Sequence, residues 1–297
     1  MTWATTTDNF RLHYEEAGKG TPILFIHEFA GDWRAWEPQM RYFSRRHRCI
    51  TYSARGYTPS DVPPNASSYS QEQAVKDAVS VLDAAGIEKA HIVGLSMGGF
   101  ATIHFGMMFP ERALSLCVAG AGFAAEKSTQ EFYRGKARET SQRFLNEGAK
   151  AVAPGYALSP TRVQLQNKDP RGWHEFMTRL GEHDSLGSAN TMLGVQSSRP
   201  SIYDFEEKLK VMKVPTLVVN GDEDDPCINP GIFLKKMLPA CGLLMLPKTG
   251  HTINLEEPDW FNMFLADFIA HVEAGTWVER DPRAKPCLLY TSPSPRD

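Results

Sequence analysis

The segment Gly94-Leu95-Ser96-Met97-Gly98-Gly99 follows the apolar run Ala90-His91-Ile92-Val93 and leads into a helix-like stretch. A serine with glycine two residues before and two residues after, at a strand-to-helix junction, marks a sharp turn that lifts a nucleophilic hydroxyl out of a sheet. Side chains in place of those glycines would clash with the neighbouring strand and helix as the backbone bends. The serine itself is expected in a strained region of φ/ψ space.

The flanking sequence supplies more strands and helices. Pro22-Ile23-Leu24-Phe25-Ile26 is a short apolar run of the kind buried in a parallel sheet, and an opening strand or hairpin precedes it at residues 12–16. The spacing of Trp33, Trp36, Met40 and Phe43 predicts a helix over residues 33–46, with the next strand at 49–52. Residues 69–85 are amphipathic, with Ala74, Val75, Ala78, Val81 and Leu82 on one face and Gly86 where a helix C-cap belongs. Ile92-Val93 and Leu116-Cys117-Val118-Ala119 are strands on either side of the helix that begins after Ser96. Short apolar strands alternating with helices predict an α/β fold, a mostly parallel sheet covered on both faces.

The alternation stops at about Phe123. From there to Lys210 the chain is helical in character, charged and irregular, and strands resume only at Val214-Pro215-Thr216-Leu217-Val218-Val219-Asn220. The last strand is Leu243-Leu244-Met245-Leu246 and the last helix spans residues 260–272. This predicts a core domain of residues 1–122 and 211–283, with an inserted helical cap at 123–210. Residues 284–297 carry three prolines and no periodicity. They read as a disordered or non-native tail, whose removal should leave melting temperature and activity intact.

A net charge of −3 over 297 residues gives no electrostatic footprint for nucleic acid or an anionic membrane. The cluster Arg41, Arg45, Arg46, Arg48 reads as the solvated face of a helix. The N-terminus has neither a basic start nor an apolar core, so no signal peptide is expected. No apolar run approaches the roughly 18 residues of a membrane span. Five scattered cysteines without C-x-x-C spacing read as reduced thiols of a cytoplasmic protein, with no metal or disulfide role.

A serine hydroxyl is a poor nucleophile at neutral pH and needs a base, oriented in turn by an acid. Two downstream loops offer them. The strand ending at Asn220 runs into Gly221-Asp222-Glu223-Asp224-Asp225-Pro226, and the last strand runs into Pro247-Lys248-Thr249-Gly250-His251-Thr252. Both loops lie beyond strand C-termini, where open α/β sheets place their sites. In these motifs, over roughly residues 10–272, the chain resembles the α/β-hydrolase fold superfamily of the esterase, perhydrolase and C–C hydrolase type. The resemblance implies an eight-stranded sheet, no cofactor, and the chain order nucleophile, acid, histidine. Ser96 is then the nucleophile, His251 the base and, by the family's G-x-x-D spacing, Asp224 the acid. Asp222 and Asp225 are the alternatives, otherwise solvated or loop-capping. No metal site is expected from this acid cluster, since no histidine or second carboxylate cluster is positioned to complete it.

His27-Glu28-Phe29-Ala30-Gly31 directly follows a strand and resembles the family's H-G-x-x-G oxyanion loop. By that resemblance the backbone N–H groups of Phe29 and Met97 hold the developing oxyanion. Glu28 replaces the usual glycine. A carboxylate aimed at an oxyanion would oppose catalysis, so Glu28 is expected to turn away, toward His27 or Arg55. The loop Ser53-Ala54-Arg55-Gly56-Tyr57-Thr58-Pro59-Ser60 resembles a structural loop of the family, with Ser53 and Thr58 replacing Asp and Gly. His91, His104, His174 and His183 read as packed or surface imidazoles. Trp33, Trp173, Phe123 and Tyr203 fit equally as pocket lining or core.

These residues point to acyl transfer on a small or medium carboxylic ester or related acyl substrate. Serine at position 96 argues against epoxide hydrolase and haloalkane dehalogenase chemistry, which uses a carboxylate there. Lactonase, cofactor-free perhydrolase and C–C bond hydrolase share the same three side chains. A ligand receptor on the same fold is the alternative from outside enzymology, and oligomeric state is not encoded in any motif.

Overall fold

The computed structural model describes residues 1–284, so the expectation for the tail falls, Ala284 apart, outside the described residues. Eight strands form: β1 Thr2–Thr5, β2 Arg11–Ala17, β3 Pro22–Ile26, β4 Arg48–Tyr52, β5 Ala90–Leu95, β6 Ala113–Ala119, β7 Thr216–Gly221 and β8 Cys241–Leu246. They make one sheet in the order β1-β2-β4-β3-β5-β6-β7-β8. β1 with β2 and β2 with β4 pair antiparallel, and every other neighbouring pair is parallel.

Each parallel strand sends alternate residues to opposite faces. Leu24, Ile50, Ile92, Leu116 and Val218 pack on one side beneath α2 (Gln71–Ala84, after α1, Glu37–Phe43) and α3 (Met97–Met108). Ile23, Phe25, Val93, Cys117 and Val219 pack on the other, against α1 and the C-terminal helix. The order reverses at β3: the chain steps from β3 to β4 on one side, then returns to β5 on the other, with Ile26 opposite Gly94. Such a switch point opens a crevice at the strand C-termini. The loop after β3 and the turn at Ser96 both lie at its mouth.

Between β6 and β7 the described chain has helices and no strand: α4 Gln130–Glu147, α5 Ala149–Ala157, α6 Val163–Lys168, α7 Pro170–Gly181, α8 Ser185–Thr191 and α9 Glu206–Val211. Phe144, Val152, Leu165, Leu180 and Met192 of this insertion share a buried cluster with Phe29 and Met97. The insertion therefore packs directly on the segments expected to do chemistry. After β7 come α10 (Asp225–Met237), α11 (Ile253–Glu256) and α12 (Pro258–Glu273).

Two local expectations need correction. The helix expected over 33–46 is a 3-10 turn, Trp33–Trp36, followed by α1. Pro38 explains the break, because it has no N–H to continue a ladder but fits the first turn of a new helix. The opening element is a two-stranded hairpin that begins already at Thr2.

Candidate active site

Ser96 sits at φ 56°, ψ −111°, between the end of β5 and the first residue of α3. Neighbouring backbone forces this bend. A Cβ at Gly94 would lie 2.1 Å from the Gly98 carbonyl oxygen, and one at Gly98 would lie 2.1 Å from that of Ile26. The Ser96 N–H donates to the Ala119 carbonyl (2.8 Å), and its own carbonyl accepts from Phe100 N–H one turn on (2.9 Å). Ser96 and His251 line the same cavity, of about 620 Å³. No hydrogen bond joins Ser96 Oγ to the imidazole among the described residues. Catalytic pairs are often loose in an empty site and tighten when it is filled.

His251 Nδ1 is 2.7 Å from Asp224 Oδ2, and both side chains are buried. The acid and histidine loops continue the β7–β8 ladder beyond the sheet, Asp222 N–H donating to the Leu246 carbonyl (3.0 Å) and Glu223 N–H to that of Thr249 (3.0 Å). Of the three aspartates in the acid loop, Asp224 alone meets the imidazole. Asp222 is exposed and braces the loop by accepting from Thr249 N–H (3.3 Å), while Asp225 is exposed at the start of α10. The histidine loop has an anchor that no sequence motif signalled. Buried Glu256 accepts from Gly250 N–H (2.6 Å), Thr252 N–H (3.0 Å) and Thr252 Oγ (2.9 Å). Burial raises the Glu256 pKa, against the pull of those bonds.

Folding also supplies partners that the acid cluster lacked in sequence. Ligand atoms of Asp224, Cys227 and His251 lie within 4.8 Å of one another. The group is not arranged for a cation, because burial pushes the Cys227 thiol well above its ordinary pKa and His251 Nδ1 is already engaged by Asp224.

The loop after β3 is held by its histidine. His27 Nδ1 is 2.6 Å from the Glu28 carbonyl oxygen, and Nε2 accepts from Ala54 N–H (3.0 Å), which fixes an Nδ1–H tautomer. Burial lowers the His27 pKa, in keeping with a neutral ring. Because the peptide unit is planar, fixing the Glu28 carbonyl also fixes the direction of the Phe29 N–H. Neither the Phe29 N–H nor the Met97 N–H donates to another protein group among the described residues.

Glu28 turns away from this loop, but toward neither His27 nor Arg55. Its carboxylate meets Arg162 of the insertion in a buried two-pronged pair, Oε1 to Nη1 at 3.1 Å and Oε2 to Nη2 at 2.5 Å. The Arg162 guanidinium also stacks on Tyr156 (5.2 Å) and Phe176 (4.8 Å). Burial opposes its charge, but pairing with the Glu28 carboxylate outweighs it and holds the pKa above the ordinary value. Arg55 is occupied elsewhere, between Asp77 (2.6 and 2.7 Å) and Asp8 (2.9 and 3.0 Å). One residue before Arg162, the Thr161 carbonyl accepts the His251 N–H (2.8 Å). It can approach because a Cβ at Gly250 would lie only 2.3 Å from that oxygen.

Of the four aromatics left open by sequence, Phe123 lines the cavity, its ring edge-on to His251 at 5.1 Å. Tyr203 instead stacks on Phe233 (4.4 Å) and donates to Glu126 (2.7 Å), while Trp33 and Trp173 lie outside the cavity wall. Lining that sequence reading missed includes Tyr133, Tyr156, Met192 and Arg199, all from the insertion. His91, His104 and His183 are buried away from Ser96, and desolvation pushes each down to about 4. No helix among the described residues is long and apolar enough to cross a membrane.

Comparison with known proteins agrees with this architecture. The 3-oxoadipate enol-lactonase 1 of Acinetobacter baylyi is 26% identical over 84% of this chain and 89% of its own length. A 2-hydroxy-6-oxo-6-phenylhexa-2,4-dienoate hydrolase of Burkholderia cepacia is 27% identical over 89% of this chain and 92% of its own. A thermophilic esterase from Thermogutta terrifontis superposes with a TM-score of 0.80 at 22% identity, covering 91% of this chain and 98% of that one. The family model of the α/β hydrolase fold matches residues 21–258, and the chain belongs to that family.

Proposed function

We propose that this α/β hydrolase cleaves small or medium carboxylic esters by nucleophilic acyl transfer, with Ser96 as nucleophile, His251 as general base and Asp224 as the orienting acid. The observation that carries the reading is a strained serine opening into the same cavity as a histidine whose far nitrogen is bound to a buried aspartate.

His251 removes the Ser96 proton as Oγ attacks the ester carbonyl, and Asp224 keeps the proton on Nδ1 so that Nε2 is free to accept. The oxyanion that forms is received by the Phe29 and Met97 N–H groups. Preorganised donors of this kind contribute about 2.7–4 kcal/mol each in other enzymes. The Glu28–Arg162 pair supports this assignment, since it draws the carboxylate away from the oxyanion and neutralises it. Protonated His251 then gives its proton to the leaving alcohol. Water, deprotonated by the same imidazole, releases the acid and restores Ser96. The helical insertion is part of the proposal as the cap that bounds the substrate cavity.

A fluorophosphonate probe tests the reading: it should label the protein, and Ser96→Ala should abolish both labelling and turnover of p-nitrophenyl esters. Because curated relatives are named as an enol-lactonase and a dienoate hydrolase, a lactone joins the acyl-chain panel. Turnover that survives Ser96→Ala would reject the nucleophile.

A further inference from the structure

We infer that the cavity over Ser96 takes an acyl group that ends in a carboxylate, and that Arg199 receives it. The inference rests on the acyl-transfer reading above, and names the substrate class for it.

Three arginines of the described chain are almost wholly buried: Arg55, Arg162 and Arg199, at 4%, 2% and 4% exposure. Burying a guanidinium is costly unless an anion compensates it. Arg55 has Asp77 and Asp8, and Arg162 has Glu28. Arg199 has no carboxylate within ion-pair distance among the described residues. Its cation rests on the face of Phe100, with Cζ 3.6 Å from the ring centroid. One Nη donates to the Phe123 carbonyl (2.7 Å), the other donates to Gln196 Oε1, and buried Nε has no partner.

No neighbour supplies the missing charge. Cys227 and Tyr156 are the acidic groups that act on it, and burial raises the pKa of both, leaving them neutral at pH 7. Arg134, which donates to the Arg199 carbonyl (2.9 Å), adds a like charge. At the cavity rim Lys136 is paired with Glu139, and Asp225 forms no pair with Arg199. Desolvation lowers the Arg199 pKa to about 9, so the guanidinium is charged at neutral pH.

The position suits recognition of the acyl part. Phe100, beneath the guanidinium, lies one helical turn after Ser96, and Phe123, which accepts from it, packs edge-on against His251. Phe100 thus ties Arg199 to the helix that follows the nucleophile and Phe123 ties it to the base, and Ser96, Arg199 and His251 line one cavity. A hemiester of a short dicarboxylic acid suits a cavity lined by both, its free carboxylate on Arg199 and its ester carbonyl at Ser96. A guanidinium offers a planar fork of donors matched to such a group.

The test compares mono-p-nitrophenyl glutarate with p-nitrophenyl valerate, a neutral acyl chain of the same carbon count. Wild-type protein should favour the glutarate in kcat/KM by about tenfold or more, the scale of a hydrogen-bonded charge. Arg199→Gln should collapse that ratio, chiefly through KM for the glutarate, and Arg199→Lys should retain part of it. A wild-type ratio of one or below overturns the proposal. So does a ratio unchanged in Arg199→Gln, which would make the guanidinium a structural clamp only. Calorimetry of monomethyl glutarate on Ser96→Ala separates the two readings, because it needs no chemistry. Arg199-dependent binding there, with no ester turnover or probe labelling in wild type, would keep the anion site and reject acyl transfer. Turnover of both esters without preference, and no binding of monomethyl glutarate, would do the reverse.

Discussion

Glu28 and Arg162 come from opposite parts of the chain, the loop after β3 and the helical insertion, and meet in a buried two-pronged ion pair beside the turn that carries Ser96. A carboxylate in a glycine's place is thereby accommodated: its charge is cancelled, and its bulk points into the insertion rather than toward the proposed oxyanion position.

Removing either partner alone strands a buried charge, which costs about 3–5 kcal/mol. Arg162→Met is expected to lose that stability and also kcat, because it leaves a bare carboxylate on the proposed oxyanion loop. Glu28→Gln/Arg162→Met should recover most of the stability. Urea unfolding of the two single variants and the double variant measures the coupling, and additive losses would show that the pair is inert.

Asp224→Asn should keep the fold and lower kcat by roughly three to four orders of magnitude, since an amide favours the wrong imidazole tautomer. Asp222→Asn and Asp225→Asn should stay within about tenfold of wild type, because neither side chain touches His251. Esterase assays of the three variants rank them. Equal losses would remove Asp224 from its place.

Gly250→Ala places a methyl against the Thr161 carbonyl and must break or stretch its bond to the His251 N–H. The expected result is a fall in kcat of at least about tenfold, with a loss of about 1–3 kcal/mol in stability, the usual cost of overpacking. A crystal structure of the variant with the His251 loop unmoved, or full activity, would contradict it.

Acid should destabilise the protein before its carboxylates titrate. His91, His104 and His183 ionise near 6.5 when unfolded, but only near about 4 in the folded state, because burial penalises the cation. Between those values the unfolded chain binds more protons, so stability falls as pH falls, by up to about 1.4 kcal/mol per pH unit for each site. Their contribution is intact above pH 6.5 and lost by about pH 4. Chemical denaturation from pH 7.5 to 4.5 tests this, and His104→Leu should flatten the slope. An equal slope in that variant would exclude His104.

Much of the sheet is legible in sequence because each of its parallel strands is a local apolar run, and the elbow because its glycines record close backbone approaches that only a strand-turn-helix makes. The acid and histidine loops are legible for a related reason: each extends a strand whose end is marked. The contents of the insertion are not. Arg162 and Arg199 lie in irregular segments, Thr-Arg-Val and Ser-Arg-Pro, and what distinguishes them is burial and the presence or absence of an anion, which only folding creates. Glu256 is hidden in the same way, a surface-like residue in sequence that turns inward to hold three donors of the His251 loop.

The bond from Thr161 to His251 has an evolutionary and engineering consequence. Two adjacent insertion residues hold the proposed base and the proposed oxyanion loop at once, so on that reading the insertion cannot be exchanged as a cassette between relatives without carrying Thr161 and Arg162 in register with Gly250 and Glu28. Specificity can drift freely only in the stretches on either side of that anchor. A chimera that ignores it would inherit a new pocket and a misaligned imidazole together.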